Sequence, residues 1–87
     1  MNEIKLEEIK SNKPFSVRRT KRSDGYIIST VKPYALAWYG RYETALVKSQ
    51  HDIRIIEGYS TKEEAIKGHE KYCNMTTEEL EGLEFIG

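Results

Sequence analysis

His69 and Cys73 stand four residues apart, a spacing that places two potential metal ligands on one face of a helix. His51-Asp52 offers two more donors from a preceding polar stretch. A structural zinc site needs four ligands, usually as two close pairs, and only one such pair exists here. The plainer reading makes His69 and Cys73 packing residues, so no metal and no cofactor is expected. The same two residues form the chain's single Cys–His pair. Neither sits on a glycine-rich turn or at a helix N-terminus that would lower the thiol pKa, so the thiol reads as inert. Glu63, Glu64 and Glu70 read as capping and solvated helix positions rather than as catalytic carboxylates. No phosphate-binding loop or dinucleotide fingerprint is present. The expectation is a protein that is not an enzyme.

A denser signal lies earlier. Arg18, Arg19, Lys21 and Arg22 put four basic groups within five residues. At a hairpin tip they could reach phosphates, with Tyr26, Tyr34, Trp38, Tyr39 and Tyr42 as stacking faces. Against this, the 87 residues carry 14 basic and 14 acidic side chains, and nucleic-acid domains are usually clearly basic. The neutrality is uneven. Between residues 11 and 50, eight basic side chains face only Asp24 and Glu43, whereas 51–87 carry nine acidic groups against four basic ones. These segments either neutralise one another side by side or form patches of opposite sign that bias association. The candidate binding surface is Arg18, Arg19, Lys21, Arg22, Tyr34, Trp38 and Tyr39. Six tyrosines and one tryptophan favour a protein partner, because these types anchor interfaces. A homodimer paired along a strand edge is the simplest version. Nucleic acid is the alternative partner, through the basic hairpin.

The elements that must position these groups follow from periodicity. Residues 3–11 have Leu6 and Ile9 three apart and are rich in Glu, Leu and Lys, which predicts a short N-terminal helix; the two-residue step from Ile4 to Leu6 is the competing strand signal. Ser11-Asn12-Lys13-Pro14 stops that element. From residue 15 to residue 56 the pattern is strand-like. Ser23-Asp24-Gly25 marks a turn between 15–20 and 26–31, Lys32-Pro33 a break, and 34–39 an apolar run interrupted by Gly40. Residues 41–47 and 53–56 supply the last strands around a polar connection. A helix over 61–74 follows. Ser60 with Glu63, or Thr61 with Glu64, makes its capping box, and Ala65, Ile66, His69, Tyr72 and Cys73 form its apolar stripe. Lys62, Glu63, Lys67, Glu70 and Lys71 are left for solvent. Gly68 in mid-helix costs about 1 kcal/mol relative to Ala, which implies close approach to the sheet beneath. Thr76 with Glu79 opens a second short helix through Leu83, and the tail at Phe85 and Ile86 either docks on the core or frays.

The fold class is therefore α+β: one domain over 1–87, a small antiparallel sheet of three to five short strands, one main helix across it, and short terminal helices. Ala65, Ile66, His69 and Tyr72 should be core. One cysteine excludes an internal disulfide framework. No apolar stretch is long enough for a membrane helix, and the first ten residues lack the apolar region of a secretory signal, so the expected compartment is the cytoplasm.

Tyr42-Glu43-Thr44 within a strand, a second strand, and then Ser60-Thr61-Lys62-Glu63-Glu64-Ala65 leading to Gly68-His69-Glu70 resemble a pattern in small proteins of tailed phages and prophages. The resemblance covers roughly residues 42–72. It implies a phage- or prophage-encoded accessory protein in the host bacterial cytosol, of a family without an assigned activity.

Overall fold

The computed structural model describes residues 4–10, 16–32 and 42–86. Five strands, β1 (Leu6–Glu8), β2 (Ser16–Arg22), β3 (Ile27–Val31), β4 (Tyr42–Ser49) and β5 (Asp52–Tyr59), are followed by helices α1 (Lys62–Cys73) and α2 (Thr77–Glu81). The sheet order is β1-β2-β3-β4-β5 and every pair is antiparallel, the meander that short strands joined in sequence produce. The class is the α+β fold expected. The apolar run at 34–39, the breaks at 11–14 and 32–33, and Gly40 lie wholly or mostly outside the described residues.

The N-terminal helix is corrected: residues 6–8 form a strand. Leu6 pairs with Arg22, Glu7 with Lys21 and Glu8 with Thr20, and the Ile9 amide adds a bond to the Arg19 carbonyl (2.7 Å). A helix of nine residues with three apolar side chains is not stable by itself, whereas the edge of β2 offers ready main-chain partners. The Ile4–Leu6 spacing was the correct signal.

The remaining elements follow local chemistry. Gly25 has φ +95°, and the Asp24 carboxylate accepts the Tyr26 amide (3.2 Å), closing the turn between β2 and β3. Thr61 caps α1, accepting the Glu64 amide at 3.2 Å. Thr76 and Glu79 form a complete capping box at α2. That helix ends at Glu81 rather than Leu83. Ile28, Leu46, Ile56, Tyr72, Cys73 and Leu80 make the core between sheet and helices, with Tyr26, Met75, Leu83 and Phe85 packed around it. The tail docks: Phe85 lies against the core and the Ile86 amide donates to the Ile55 carbonyl (2.8 Å) at the outer edge of β5. Ile66 is half-buried rather than core.

Gly68 is where α1 meets the sheet. A Cβ added there would overlap the hydroxyl and ring of Tyr59, itself buried at the end of β5. Gly68→Ala should therefore destabilise the fold by about 2 kcal/mol, in the overpacking range, against the gain of about 1 kcal/mol that helix propensity alone would give. Urea unfolding of the variant checks the sign, and a stabilised Gly68→Ala would show that Tyr59 swings aside freely.

Candidate functional site

A strand cannot present consecutive residues on one side, and β2 divides the basic quartet. Arg18, Thr20 and Arg22 face the helices, while Arg19 and Lys21 face away. Arg18 approaches Glu70 at 4.0 Å with both side chains substantially exposed, a pair worth little. Arg22 corrects the expectation of a solvated hairpin. It is 1% exposed. Its Nη1 donates to the carbonyls of Tyr72 (3.0 Å) and Cys73 (3.1 Å), the last of α1. Its Nε and Nη2 donate to the Asp24 carboxylate, the latter at 2.7 Å. Arg22 thus satisfies orphan carbonyls at the negative end of α1 and is unavailable to phosphate. Asp24 also accepts the Thr77 hydroxyl at 2.8 Å, so turn, α1 and α2 meet at one ion pair. Burial alone would raise the Asp24 pKa, but Arg22, Thr77 and the Tyr26 amide together hold it below the ordinary carboxylate value. Tyr34, Trp38 and Tyr39 lie outside the described residues.

His69 occupies the middle of the helix-covered face, 1% exposed. Its Nε2 bonds Thr20 Oγ1 (2.8 Å) and its Nδ1 bonds Thr30 Oγ1 (2.7 Å), which in turn bonds Thr44 Oγ1 (2.6 Å). Both ring nitrogens are therefore engaged by hydroxyls, leaving no lone pair for a metal. Burial, and secondarily the Arg18 charge, lower the imidazole pKa to about 4, so the ring is neutral at pH 7. Burial likewise pushes the Cys73 thiol up, away from the thiolate a nucleophile needs. Among the described residues no three His, Cys, Asp or Glu side chains gather as a metal cluster. The threonine network was not anticipated from the sequence. Its signal was available: Thr20, Thr30 and Thr44 share the strand alternation of Ile28 and Leu46, so three hydroxyls were bound to face the helix.

Two clefts adjoin this layer. One, of about 570 Å³ between β1, β2 and α1, is lined by Leu6, Glu8, Arg18, His69, Glu70 and Cys73. Its opposed charges and its already bonded histidine present no convergent donor set. The other, of about 430 Å³ beside the β2–β3 turn, has Lys5, Lys21 and Ser23 on its wall.

The opposite face of the sheet is more distinctive. Both helices pack on the Ile28–Leu46 side. On the other side the registers align Glu7, Lys21, Ile27, Val47 and Ile53 in one row across all five strands. Arg19, Ser29, Ala45 and Ile55 align in the next. The β1–β2 half of this face is charged, and the β3–β5 half carries the apolar residues, with Ser29 among them and Glu43 in the row beyond. Ile53 is 58% exposed and the other apolar members are half-buried. No described helix covers them. No helix among the described residues is long and apolar enough to cross a membrane. No protein-family model, curated protein or solved structure matches the chain.

Proposed function

We propose that the chain is a non-catalytic accessory protein of phage or prophage origin, working in the host cytosol by holding a protein partner against the open face of its sheet. The observation that carries this reading is the apolar row Ile27, Val47 and Ile53 with Ala45 and Ile55 beside it, on the side away from both helices. Contiguous apolar surface rimmed by charge is the signature of a binding site. Consistent with binding rather than catalysis, His69, Cys73 and Arg22 are committed to internal bonds and packing. The resemblance over residues 42–72 supports the provenance. A nucleic-acid reading keeps Arg19 and Lys21 on the open face, but the Glu7 carboxylate stands on the strand position opposite Lys21 and the buried Arg22 contributes nothing. Binding of that kind would weaken steeply with salt.

Photo-crosslinking tests the reading. A crosslinking side chain at Ala45 should form adducts with a protein in host-cell extract, while one at Lys67, on the solvent face of α1, should not. Adducts absent from Ala45, or equal at both positions, would remove the open face as the binding surface.

A further inference from the structure

We infer that two copies of this chain join edge to edge through β1, antiparallel, with Leu6 on the two-fold axis. This goes beyond the open-face reading and does not rest on it. Four observations carry it. First, among the described residues β1 is the outer strand whose edge is open. The other outer strand, β5, carries the tail, whose Ile86 amide donates to the Ile55 carbonyl on that strand's free side. Second, the bonds of β1 to β2 fix where its main-chain groups point. The Lys5 carbonyl accepts the Ser23 amide (2.8 Å), and the Ile9 amide donates to the Arg19 carbonyl (2.7 Å). The C=O and N–H of one trans peptide unit point opposite ways, so the Leu6 N–H and the Glu8 C=O leave the sheet. Alternation turns Glu7 inward toward Lys21, which sends the Leu6 C=O and the Glu8 N–H outward as well. The Lys5 amide donates to Ser23 Oγ (2.9 Å), so the Ile4 carbonyl also faces out.

Third, a pairing centred on Leu6 matches both main chain and charge. Leu6 exchanges both main-chain bonds with the partner's Leu6, and the Glu8 N–H donates to the partner's Ile4 carbonyl. Lys5 stands opposite the partner's Glu7, and Glu7 opposite the partner's Lys5. On the open face each Glu7 then lies between Lys21 of its own chain and the partner's Lys5. Among the described residues neither Lys5 nor Glu7 enters an ion pair within its own chain. Fourth, Leu6 is 44% exposed, and on the helix side of the sheet it meets its own copy. α1 packs across β2 to β5, so β1 and its copy hold the two helical layers apart.

Other registers fail on the same chemistry. An outward residue must oppose an outward residue, so the axis passes through a residue rather than between two. Centring on Lys5 or Lys10 opposes two ammonium groups, and centring on Glu7 or Glu8 opposes two carboxylates. Centring on Ile4 or Ile9 runs off the strand and leaves Leu6 without an apolar partner. An edge that must stay single is blunted by charges that repel a copy, whereas the order Lys5-Leu6-Glu7 complements itself. With the tail on the other edge, the pairing closes as a dimer and does not propagate as a filament.

Sedimentation velocity over roughly 10 µM to 1 mM, the range a small interface implies, tests the pairing. The weight-average mass should climb from 10.1 kDa toward twice that value. Lys5→Glu should weaken association about tenfold, because it turns two attractive cross-strand pairs repulsive. The wild-type chain gives a second readout that no variant's folding can disturb. In a mixture of isotope-labelled and unlabelled chains, the Leu6 methyls of the two copies should show a nuclear Overhauser effect, and the Leu6 and Glu8 amides should gain hydrogen-exchange protection with concentration. A mass of 10.1 kDa throughout would overturn the inference. So would a dimer without the Leu6–Leu6 contact, or a Lys5→Glu chain that associates as tightly as wild type. The β1 pairing leaves Ala45, on β4, clear of the second copy, so its crosslinks report the open-face partner independently of this result.

Discussion

Asp24→Ala should cost about 3–5 kcal/mol of folding free energy, because it leaves a fully buried guanidinium without its counter-charge. The loss is large against the 5–15 kcal/mol that stabilises a typical domain. Asp24 does four things at once: it neutralises Arg22, accepts the Thr77 hydroxyl that ties down α2, accepts the Tyr26 amide, and shapes the turn at Gly25. Arg22→Met should also destabilise, since the Cys73 carbonyl loses its side-chain donor, the Tyr72 carbonyl keeps only the long bond from the Met75 amide, and Asp24 loses its charge partner. The double variant should be less damaging than the sum, because the charges leave together. Urea unfolding of the four proteins at pH 7 gives the cycle. A loss below about 1 kcal/mol for Asp24→Ala would place this pair with ordinary surface ion pairs. Because the folded pKa of Asp24 is depressed, its contribution is complete above the unfolded value near 3.9 and disappears as pH falls through the folded one.

That pair also marks where sequence reading stops. α1 was legible apart from Ile66 and the choice between Ser60 and Thr61 as its cap, because its capping signal and its stripe through Ala65, His69 and Tyr72 are local patterns. Gly68 was legible as a close approach, though not that Tyr59 is what approaches. The turn at Asp24 and Gly25 was legible as a turn. β1 was not, because its state is decided by β2, some fourteen residues on, and its own composition favours helix. The basic run was visible but its division was not: a charge count has no sides, whereas alternation assigns Arg22 to the covered face and Lys21 to the open one. Arg22 could be buried only because three groups converge on it, the neighbouring Asp24 carboxylate and the last two carbonyls of α1. Those α1 partners lie about fifty positions away in sequence. The open face was hidden for the same reason. Ile27, Val47 and Ile53 belong to three strands, and only their register places them in a row.

His69 carries the second large effect, and its sign follows from its position. The imidazole must stay neutral in the fold, with a pKa of about 4, and titrates near 6.5 once unfolded. Between those values the unfolded chain binds a proton that the folded chain refuses. Stability from this group is complete above pH 6.5 and is lost as pH falls toward 4, by about 3 kcal/mol at one pKa unit per 1.4 kcal/mol. The cost is physical rather than formal. A second ring N–H would face a threonine hydroxyl already engaged with its neighbours, and the new charge would lie buried near Arg18. Glu43, half-buried on β4 with its pKa raised by burial, works in the opposite sense at the acid end of the window. The clean comparison is therefore between wild type and His69→Gln, whose amide can still reach the threonines without titrating. Unfolding free energies at pH 7, 5.5 and 4 should fall more steeply in wild type, the difference reaching about 3 kcal/mol at the lowest pH. Imidazole NMR of the wild-type chain gives an independent check: the His69 ring signals should not move between pH 7 and 5.5. A ring that titrates near 6.5 in the folded protein would mean that water reaches the threonine network and that the helix-covered face is open at its centre.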